Sequence, residues 1–366
     1  MNDVVIIGGG ASGVSAAIEL KKINDNLKVV ILEQNDKILK KVLKTGNGKC
    51  NISNSGICKE KFNDFSLIEK YIKNIDIKDF FLNEGLVLKE LDCGRMYPYS
   101  ETSSSVVNIL LESIKKYNIE VVNNYKVFDI KKEKDIFVIN NDIKAKYVVF
   151  STGSKSQEKT NGYEILKKLG HKITNLSPGL VSLETDESTI SMKGLRIKCK
   201  TIINNQDYFG ELLFKENGIS GIISFDISRV VNIGDVISFD LAYEYSKEEL
   251  FKLFKNNKKE IVLMGLFPKM IYMDILKRSD GSTKSIVQQI KDYRFTIKGK
   301  GGFENSQITV GGVSLDDIKD TFESTIISGL YIIGEILNVD GASGGYNLYF
   351  AWLSGIASAK AIASRY

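Results

Sequence analysis

The pattern of apolar and polar residues at the start of the chain predicts a strand, a helix and a second strand. Residues 4–7 and 29–32 are short, β-branched apolar runs, typical of buried strands. Between them, apolar residues recur at helical spacing, as at Val14, Ala17 and Ile18. Two strands joined by a helix form the first unit of a doubly wound α/β domain.

Later stretches alternate between helical and strand-like patterns. Helices are predicted over residues 38–42, 65–82, 103–116, 155–169, 246–289 and 348–363. Strands are predicted over residues 121–122, 125–130, 136–139, 147–150, 197–204, 210–214, 219–227, 235–241, 308–313 and 330–333. Residues 93–100 are interpreted as a compact break, and Lys40, Lys41 and Lys44 are expected on an exposed face. The strand-rich stretch 181–239 suggests a small antiparallel or barrel-like domain.

A glycine-rich turn joins the first strand to the first helix. Gly8, Gly10 and Gly13 fit the spacing G-x-G-x-x-G, and Glu33 ends the second strand. The first glycine permits a tight turn, the second lets the backbone approach a pyrophosphate, and the third lets the helix pack closely. Free N–H groups at the helix N-terminus attract phosphates, and the acid accepts hydrogen bonds from a ribose diol. Strand, glycines, helix, strand and acid in this order predict a dinucleotide-binding site.

The strands that follow favour one dinucleotide over another. Short strands between residues 120 and 150 form a meander with a turn at residues 140–142. The last strand ends in Ser151, Thr152 and Gly153. By analogy with known folds, this layout is typical of FAD-binding rather than NAD-binding domains. The sequence contains no second G-x-G-x-x-G, so we expect no separate nicotinamide domain.

A second glycine cluster lies near the end of the chain. The strand at residues 330–333 ends in Gly334 and Glu335, and residues 344–347 open the last helix. Such a helix N-terminus stabilises the negative charge that reduction places on a flavin, and Glu335 would bond the ribityl chain. A glycine-rich helix cap is the plainer interpretation of the cluster taken alone. Together with the first motif, it predicts a split domain whose two parts bind one FAD.

Two loops offer candidates for chemistry. Residues 45–54 are rich in glycine and hydrogen-bonding side chains, which fits either a solvated loop or a loop along an extended cofactor. Cys50 lies near the redox centre under the second interpretation, or is an incidental buried cysteine. Around Pro98, Arg95 and Tyr97 either line a pocket or belong to a packed turn.

Composition and charge limit the class of protein. The chain has 366 residues, of which 43% are hydrophobic and 26% charged, so we expect a globular protein of two or three domains. We expect no membrane span and no leader, because no apolar run is long enough and the first strand begins almost at once. The four cysteines show no paired spacing, which favours the cytoplasm. The net charge of +5 neither requires nor excludes a polyanionic partner.

Metal and dithiol chemistry find no support in the sequence. His171 is the single histidine, and an isolated histidine beside a helix end is more often structural than catalytic. We therefore expect no metal site. The sequence has no C-x-x-C motif, so a dithiol relay is not expected either.

The motifs together resemble one bacterial family. They lie at residues 8–13, 45–54, 94–98, 151–153, 170–183, 309–313, 329–335 and 340–348. Across essentially its whole length, the chain resembles the BaiN/YhiN-like flavoprotein family. That family includes a bile-acid enone reductase, enzymes described as aminoacetone oxidases and a ribosomal RNA dihydrouridine synthase. The resemblance implies a split, glutathione-reductase-like FAD-binding domain with an inserted β-rich domain and a small helical subdomain.

The resemblance and the element pattern together place the domain boundaries. We expect the FAD-binding domain at residues 1–182 and 319–366. The β-rich domain is expected at 183–245 and 296–318, and the helical subdomain at 246–295.

The resemblance also implies contacts to a non-covalent FAD. Those for the ADP half are Gly8, Gly10, Ala11, Gly13 and Glu33, with Val127 at the adenine and Thr152 and Gly153 on the diphosphate side. Those bordering the cofactor are Asn47, Gly48, Cys50 and Asn51. Those for the ribityl and flavin end are Gly334, Glu335, Gly345, Tyr346 and Asn347. Two positions depart from the family pattern: Lys49 replaces the usual arginine, and Asn338 stands where an acid is common.

The leading functional hypothesis is an FAD-dependent reductase. It would pass hydride from NAD(P)H through flavin N5 to an electron-poor C=C bond of a small molecule. Cys50, Tyr97 and Tyr346 are candidate proton donors by chemical type. Arg95 would polarise a substrate carbonyl or bind an anionic group.

Three alternatives remain open. The first is reduction of uridine in ribosomal RNA, which the family and the lysine-rich stretches at 37–49, 131–134, 193–200 and 252–259 support. The second is an amine oxidase of the aminoacetone type. The third is a flavin-binding redox sensor without turnover. The expected partner is therefore a small molecule or ribosomal RNA, and not a membrane.

Overall fold

Two compact units make up the chain. The computed structural model describes residues 1–157 and 160–366. Unit 1 comprises Met1–Ser177 and Ile308–Tyr366, and unit 2 comprises Pro178–Gln307. Unit 1 is therefore built from both ends of the chain, and unit 2 is a single continuous segment.

These boundaries differ from the sequence expectation by five residues at the start of the insertion and by eleven at its end. The insertion was expected to begin at residue 183 and to end at residue 318, whereas unit 2 begins at Pro178 and ends at Gln307. The separate helical subdomain stays a prediction, because its residues belong to unit 2 together with the β-rich part.

The strands are numbered along the chain. They are β1 Asn2–Ile7, β2 Val29–Leu32, β3 Ser53–Asn54, β4 Leu88–Glu90, β5 Arg95–Pro98, β6 Glu120–Val122, β7 Ile130–Glu133, β8 Ile136–Ile139, β9 Ile143–Phe150, β10 Ser177–Gly179, β11 Leu183–Thr185, β12 Arg196–Ile203, β13 Gln206–Lys215, β14 Gly218–Ser220, β15 Val236–Phe239, β16 Tyr293–Lys300, β17 Ile308–Val310 and β18 Leu330–Ile332.

The α-helices are numbered in the same way. They are α1 Ala11–Ile23, α2 Lys40–Lys44, α3 Ser66–Tyr71, α4 Ile77–Asn83, α5 Ser103–Lys116, α6 Gly162–Lys168, α7 Ile222–Ile227, α8 Lys247–Asn256, α9 Lys259–Leu266, α10 Lys269–Arg278, α11 Thr283–Lys291 and α12 Tyr346–Ala363. None of the described helices is long and apolar enough to cross a membrane.

A parallel sheet forms the centre of unit 1. Its strand order is β6-β2-β1-β9-β18, and the antiparallel hairpin β7–β8 lies beside the first half of β9. Val4, Val5 and Ile6 pair with strands on both sides and are completely buried. A parallel sheet covered on both faces requires such continuous apolar strands. The predicted α/β class with a doubly wound sheet is therefore confirmed.

Small residues hold the last helix against the first. A Cβ atom at Gly355 in α12 would lie 2.4 Å from the Ser12 carbonyl oxygen and 2.2 Å from Ser15 Oγ in α1. The Ser15 hydroxyl is buried and donates to the carbonyl of Ser12 at 3.0 Å. Helices approach this closely only where the facing side chains are small. The carboxyl-terminal helix thus completes the domain that the amino-terminal strand begins.

Unit 2 is built on an antiparallel sheet. Its order is β12-β13-β14-β11-β16-β15, and a bridge between Lys200 and Asp240 links β12 back to the end of β15. This link curls the sheet toward the predicted barrel-like shape. Phe214, Phe239 and Phe295 fill its core, and α8 to α11 supply further apolar side chains to the same core.

Several local predictions were wrong. The compact break at residues 93–100 contains strand β5, because this segment pairs with the preceding strand β4 and with the more distant β3. Residues 219–227 are a short strand and helix α7, not one strand, with Gly221 turning the chain between them at a φ of +91°. The helix predicted over 65–82 is two helices, and the side chain of Asp76 caps the second.

Two further predictions had wrong bounds. Residues 125–129 carry no strand, and β7 begins only at Ile130. The helix predicted over 155–169 includes residues 158 and 159, which lie outside the described residues. Within the described part, helix α6 begins at Gly162.

Candidate active site

The first glycine motif turns the chain from β1 into α1. Gly8 has a φ of +105°, and a Cβ atom there would lie 2.4 Å from the Ser151 carbonyl oxygen. A Cβ atom on Gly13 would lie 2.1 Å from the Gly8 carbonyl oxygen. By contrast, a Cβ atom on Gly10 would meet no atom of residues 1–157 and 160–366 within 4 Å. Packing therefore requires the first and third glycines, whereas the second borders open space.

The N-terminus of α1 is available to an anion. No described side chain caps this helix, and its first turn carries no acidic residue. The adjoining residue Ala11 is only partly buried. The first N–H groups of a helix lack partners within the helix, and the helix dipole favours negative charge there. Gly10, Ala11 and Gly13 lie where the sequence predicted phosphate contacts, and their contacts to FAD stay a prediction.

Glu33 lies beside the same turn. Its side chain is 7% exposed, and Oε2 accepts a hydrogen bond from the Gly9 N–H at 2.8 Å. Oε1 accepts bonds from the backbone N–H and the side-chain amide of Asn35 at 2.8 and 2.7 Å. A carboxylate oxygen has room for two such bonds, so Glu33 keeps capacity for a ribose hydroxyl.

The end of β9 adds a buried polar atom without a protein partner. Thr152 Oγ1 is buried and forms no hydrogen bond with any described residue. The next residue, Gly153, has a φ of +68°, and a Cβ atom there would meet no atom of the described residues within 4 Å. The nearby Val127 is buried, and its carbonyl accepts a bond from the Asn161 amide at 3.0 Å. An unpaired buried hydroxyl is costly, so a bound ligand group would explain Thr152.

The second glycine cluster opens α12 against the 45–54 loop. Gly345 precedes the helix with a φ of +99°, and a Cβ atom there would lie 2.4 Å from the Ser53 carbonyl oxygen. The same Cβ atom would lie 2.9 Å from Asn51 Oδ1, which is itself buried without a hydrogen-bond partner among the described residues. No described side chain caps α12. The structure thus brings together two motifs that lie almost three hundred residues apart in sequence.

Asn54 joins these segments and was missed as a site residue. Its amide donates to the carbonyls of Gly344 and Cys93, each at 3.0 Å, and its oxygen accepts from the Gly56 N–H at 2.7 Å. The side chain is 4% exposed. An asparagine in a glycine-rich loop is common at turns, so the sequence offered no signal for these contacts across the fold.

The loop itself carries an unusual backbone. Asn47 and Gly48 are exposed, with φ values of +54° and +82°. A Cβ atom on Gly48 would meet nothing within 4 Å. Cys50 also has a positive φ, but its thiol is buried, and burial raises its pKa to about 11. The thiol is therefore protonated at neutral pH, and its assignments as a cofactor neighbour and a proton donor stay predictions.

Glu335 is held by an ion pair that the sequence did not predict. Lys41 Nζ lies 2.6 Å from Glu335 Oε2 and also donates to the hydroxyl of Ser156. Glu335 Oε1 accepts a bond from the Thr309 N–H at 3.2 Å. Both charged side chains are largely shielded from solvent. Lys41 was expected on the exposed face of a short helix, and the structure instead places it on the acid predicted to hold the ribityl chain.

Glycine is also required at the turn before Glu335. Gly334 has a φ of +75°, and a Cβ atom there would lie 2.4 Å from Ser12 Oγ at the start of α1. Its N–H donates to the Ser354 hydroxyl of α12 at 3.0 Å. Gly334 therefore lies between the two helices that begin at the two glycine motifs.

Arg95 and Tyr97 both lie on β5. The Arg95 Nε donates to the Asp92 carbonyl oxygen at 3.0 Å. Tyr97 is 9% exposed, and its ring would be 3.4 Å from a Cβ atom on Gly46. The sequence left open a pocket wall or a packed turn. The structure shows a paired strand, and its side chains border the 45–54 loop.

The other two predicted residues of the last helix contact its own loop. Tyr346 is 6% exposed and meets the ring of Phe62 edge-on at 5.7 Å. The Asn347 side chain accepts from the Gly341 N–H and donates to the Gly341 carbonyl, both at 2.8 Å. Asn347 thereby shapes the loop that precedes the helix, and any contact of either residue with a cofactor stays a prediction.

The remaining singled-out residues have structural surroundings. His171 is buried, its ring nitrogens lie 2.8 Å from Ser324 Oγ and 3.2 Å from the Leu166 carbonyl, and burial lowers its pKa. The Asn63 side-chain amide donates to the Asn338 carbonyl oxygen at 3.2 Å and to its Oδ1 at 3.4 Å. Lys49 forms an ion pair with Glu101 at 2.8 Å.

Comparison with known proteins identifies the family. A family model described as the HI0933-like protein Rossmann domain matches residues 2–361. The chain belongs to this family. Two curated proteins match this chain along essentially its full length. A 3-dehydro-bile acid delta(4,6)-reductase of Clostridium scindens is 30% identical, with 100% of both chains covered. A ribosomal RNA dihydrouridine synthase of Haemophilus influenzae is 27% identical, with 98% of each covered.

Solved structures agree on the fold. A 3-ketosteroid-delta4-(5alpha)-dehydrogenase of Rhodococcus jostii RHA1 superposes with a TM-score of 0.53 at 14% identity, covering 99% of this chain and 96% of that one. Such a likeness supports the fold alone. Membership of the HI0933-like family confirms the predicted resemblance, and with it a flavin-using enzyme of the oxidoreductase class.

The residues present fit a flavin dinucleotide. Two uncapped helix N-termini lie on the same domain, and Thr152 and Asn51 each bury a polar oxygen without a partner among the described residues. Glycines without neighbours, at Gly10, Gly48 and Gly153, leave room beside the backbone. These are the features that an extended, doubly anionic ligand requires.

Proposed function

We propose that the protein is an FAD-dependent reductase that adds hydride and a proton to an electron-poor C=C bond, with NAD(P)H as the electron donor. The observation that carries the proposal is the meeting of the 45–54 loop with the N-terminus of α12, where Gly345 approaches Ser53 and Asn51. This arrangement supports a flavin end opposite the dinucleotide motif. The bound flavin would accept and deliver hydride at N5.

The chain would hold the cofactor by its two ends. The N-terminus of α1 offers N–H groups to the diphosphate, and Glu33 offers its carboxylate to the ribose. Lys41, through its ion pair, orients Glu335 toward a hydroxyl of the ribityl chain. The N-terminus of α12 would favour negative charge on the pyrimidine ring.

Tyr97 is the proton donor that the surroundings favour. Its side chain is buried, with only 9% exposed, and its hydroxyl forms no hydrogen bond with any described residue. The Cys50 thiol, with its pKa raised to about 11 by burial, is the weaker candidate. Tyr346 packs edge-on against Phe62, which supports a role in shaping the site.

The names of the two relatives describe one reaction class. The bile-acid enzyme is a delta(4,6)-reductase, and the ribosomal enzyme produces dihydrouridine. In both, a C=C bond conjugated with a carbonyl is reduced. This common chemistry supports an electron-poor C=C bond as the target here, while the molecule that carries it differs between the two.

Reduction of uridine in ribosomal RNA is the second candidate. Its support is the full-length likeness to the ribosomal enzyme. In three of the four basic stretches part of the positive charge is already neutralised, because Lys49, Lys131, Lys193 and Lys200 each form an ion pair with a nearby acid. Paired lysines attract phosphates less strongly than free ones. No feature of the described residues favours the amine oxidase or the redox sensor.

The location belongs to the same proposal. All four cysteines are free, and Cys93 is exposed. An exposed free thiol is suited to a reducing compartment, which supports the cytoplasm.

Two measurements test the proposed function. The purified protein should show the absorbance of oxidised FAD and lose it when NADH or NADPH is added without oxygen. Adding an enone bile acid should then restore the oxidised spectrum and yield the saturated product. A protein that carries flavin but oxidises only small amines, or none of these substrates, would contradict the proposal. Loss of dihydrouridine from ribosomal RNA in a deletion strain would favour the second candidate.

A further inference from the structure

One face of the small sheet beside the flavin end carries a set of polar side chains. In the β4-β5-β3 sheet, Lys89 is paired with Tyr97 and Asn54 with Arg95. Residues two apart on a strand point to the same face, and directly paired residues share a face. These four residues therefore share one face, and Met96 lies on the other.

This face borders the residues proposed for the flavin end. Asn54 donates to the Gly344 carbonyl at 3.0 Å, immediately before α12. Tyr97 lies against Gly46 in the 45–54 loop. A molecule reacting at the flavin would consequently meet the side chains of this sheet.

The cations on this face outnumber the acid that pairs with them. Lys49 and Lys89 both bond Glu101, at 2.8 and 2.5 Å. These two ammonium groups lower the pKa of Glu101 to about 2, so the acid is ionised throughout the physiological range. One carboxylate shared by two lysines leaves one positive charge uncompensated.

Arg95 adds a second uncompensated charge. Its Nε donates to the Asp92 carbonyl, and no carboxylate of a described residue lies within ion-pair distance of its guanidinium. Glu90 belongs to the opposite face, because it is paired with Met96. The terminal nitrogens of Arg95 and the hydroxyl of Tyr97, which is 9% exposed, are thus donors without protein acceptors in the described part of the chain.

We propose that Arg95, supported by Tyr97 and the Lys49–Glu101–Lys89 cluster, binds an oxyanion, a carboxylate or a phosphate, of a molecule that reacts at the flavin. The proposal rests on the proposed function for the position of the flavin. The planar guanidinium fork offers two parallel N–H groups that match an oxyanion, and the cluster beside it contributes positive potential. The site therefore selects acidic reactants and disfavours cationic amines.

The first experiment measures binding without turnover. Inorganic phosphate is titrated into the oxidised holoenzyme, and the flavin absorbance is followed. We expect saturable binding that Arg95→Gln weakens about tenfold or more, and that Arg95→Lys weakens less, because charge remains while the fork is lost. Arg196→Gln is the matched control, since Arg196 is an exposed residue of β12 in unit 2 and pairs with Glu211. No response in the wild type, or the same response in Arg95→Gln, would overturn the proposal.

The second experiment identifies which reactant carries the oxyanion. The two half-reactions are measured separately, with NADPH as donor and with an enone bile acid or its methyl ester as acceptor. A preference for the acid over the ester that disappears in Arg95→Gln assigns the oxyanion to the acceptor. A loss confined to reduction by NADPH assigns it to a phosphate of the donor. Equal rates of Arg95→Gln and wild type in both half-reactions would contradict the site. A protein without bound flavin would instead refute the proposed function.

Discussion

The two glycine-bearing helix starts in this protein look alike in sequence but are required for different reasons. At the start of α1, Gly13 is close to Gly8 within the same β-α turn. At the start of α12, Gly345 is close to Ser53, which comes from the other end of the chain. Gly13 is thus required by its own β-α turn, whereas Gly345 is required by an interface between distant segments.

We infer that the two regions divide cofactor binding from chemistry. A self-contained turn can be recognised in a sequence and can bind a diphosphate wherever it occurs. The second terminus acquires its surroundings only when the 45–54 loop and the last helix pack together. Asn54, through its bond to the Gly344 carbonyl, is the side chain that joins them. We infer that substrate selection belongs to the second region.

The largest expected effect is at the second helix start. Gly345→Ala places a side chain at a φ of +99° and 2.4 Å from a backbone carbonyl. We expect a loss of about 2–5 kcal/mol in the free energy of unfolding, from left-handed strain and overpacking together. Gly48→Ala is the control: it has a φ of +82° but no neighbour within 4 Å, and should lose only about 1–2 kcal/mol. Equal losses in urea denaturation would show that packing against the loop is unimportant.

The first helix start should separate stability from cofactor binding. Gly13→Ala brings a Cβ atom within 2.1 Å of the Gly8 carbonyl, and we expect about 1–3 kcal/mol of destabilisation. Gly10→Ala meets no protein atom and should change stability by less than about 1 kcal/mol, while weakening FAD binding. Thermal unfolding of the apoprotein and FAD titration measure the two effects. If Gly10→Ala bound FAD as tightly as the wild type, the open space beside it would not be the diphosphate site.

Asn54→Ala tests the link between the loop and α12. It removes hydrogen bonds to the Gly344 and Cys93 carbonyls and to the Gly56 N–H, and should cost about 1–3 kcal/mol of stability. Flavin reduction by NADPH should slow more than FAD affinity falls, because the ADP half is bound elsewhere. Asn26→Ala is the control. Asn26 is exposed and lies before β2, outside the 45–54 loop, so its substitution should change neither quantity. A variant whose FAD affinity fell while its reduction rate stayed constant would contradict the assignment.

The smallest effect is expected at the ion pair between the two regions. Lys41→Met removes the cation from Glu335 and should weaken FAD binding about tenfold, or about 1.4 kcal/mol, because the carboxylate loses the ion-pair partner that orients it toward the ribityl chain. Lys40→Met is the matched control on the same helix, since Lys40 pairs with the more exposed Asp36. Isothermal titration of FAD into the apoproteins provides the comparison. Equal affinities for the two variants would leave Lys41 without a role in cofactor binding.

The same difference between the starts of α1 and α12 decides what could be predicted from the sequence. The strand, turn, helix and acid between Val4 and Glu33 could be predicted because they are consecutive in sequence, so that their spacing determines their relative positions. The last helix and its glycines were readable as a helix start. The contact of Gly345 with Ser53 could not be predicted. In a sequence, a glycine required by a distant carbonyl cannot be distinguished from a glycine that caps a helix.

Strand β5 and Lys41 illustrate why the rest could not be predicted. The sequence around Pro98 suggests a break, and only its two partner strands make it a strand. Lys41 follows a pattern of exposed lysines, and only the fold places Glu335 beside it. The pairing of β5 with β3 and the ion pair of Lys41 with Glu335 both depend on neighbours that are distant in sequence, which local propensity does not encode.

The central claim is that one FAD is bound by both helix starts. Hydrogen–deuterium exchange of the apoprotein, before and after saturation with FAD, tests it most directly. We predict slower exchange in three segments: residues 8–14, residues 45–54 and residues 344–348. Protection of residues 8–14 alone, with the other two segments unchanged, would contradict the claim that the second region holds the flavin.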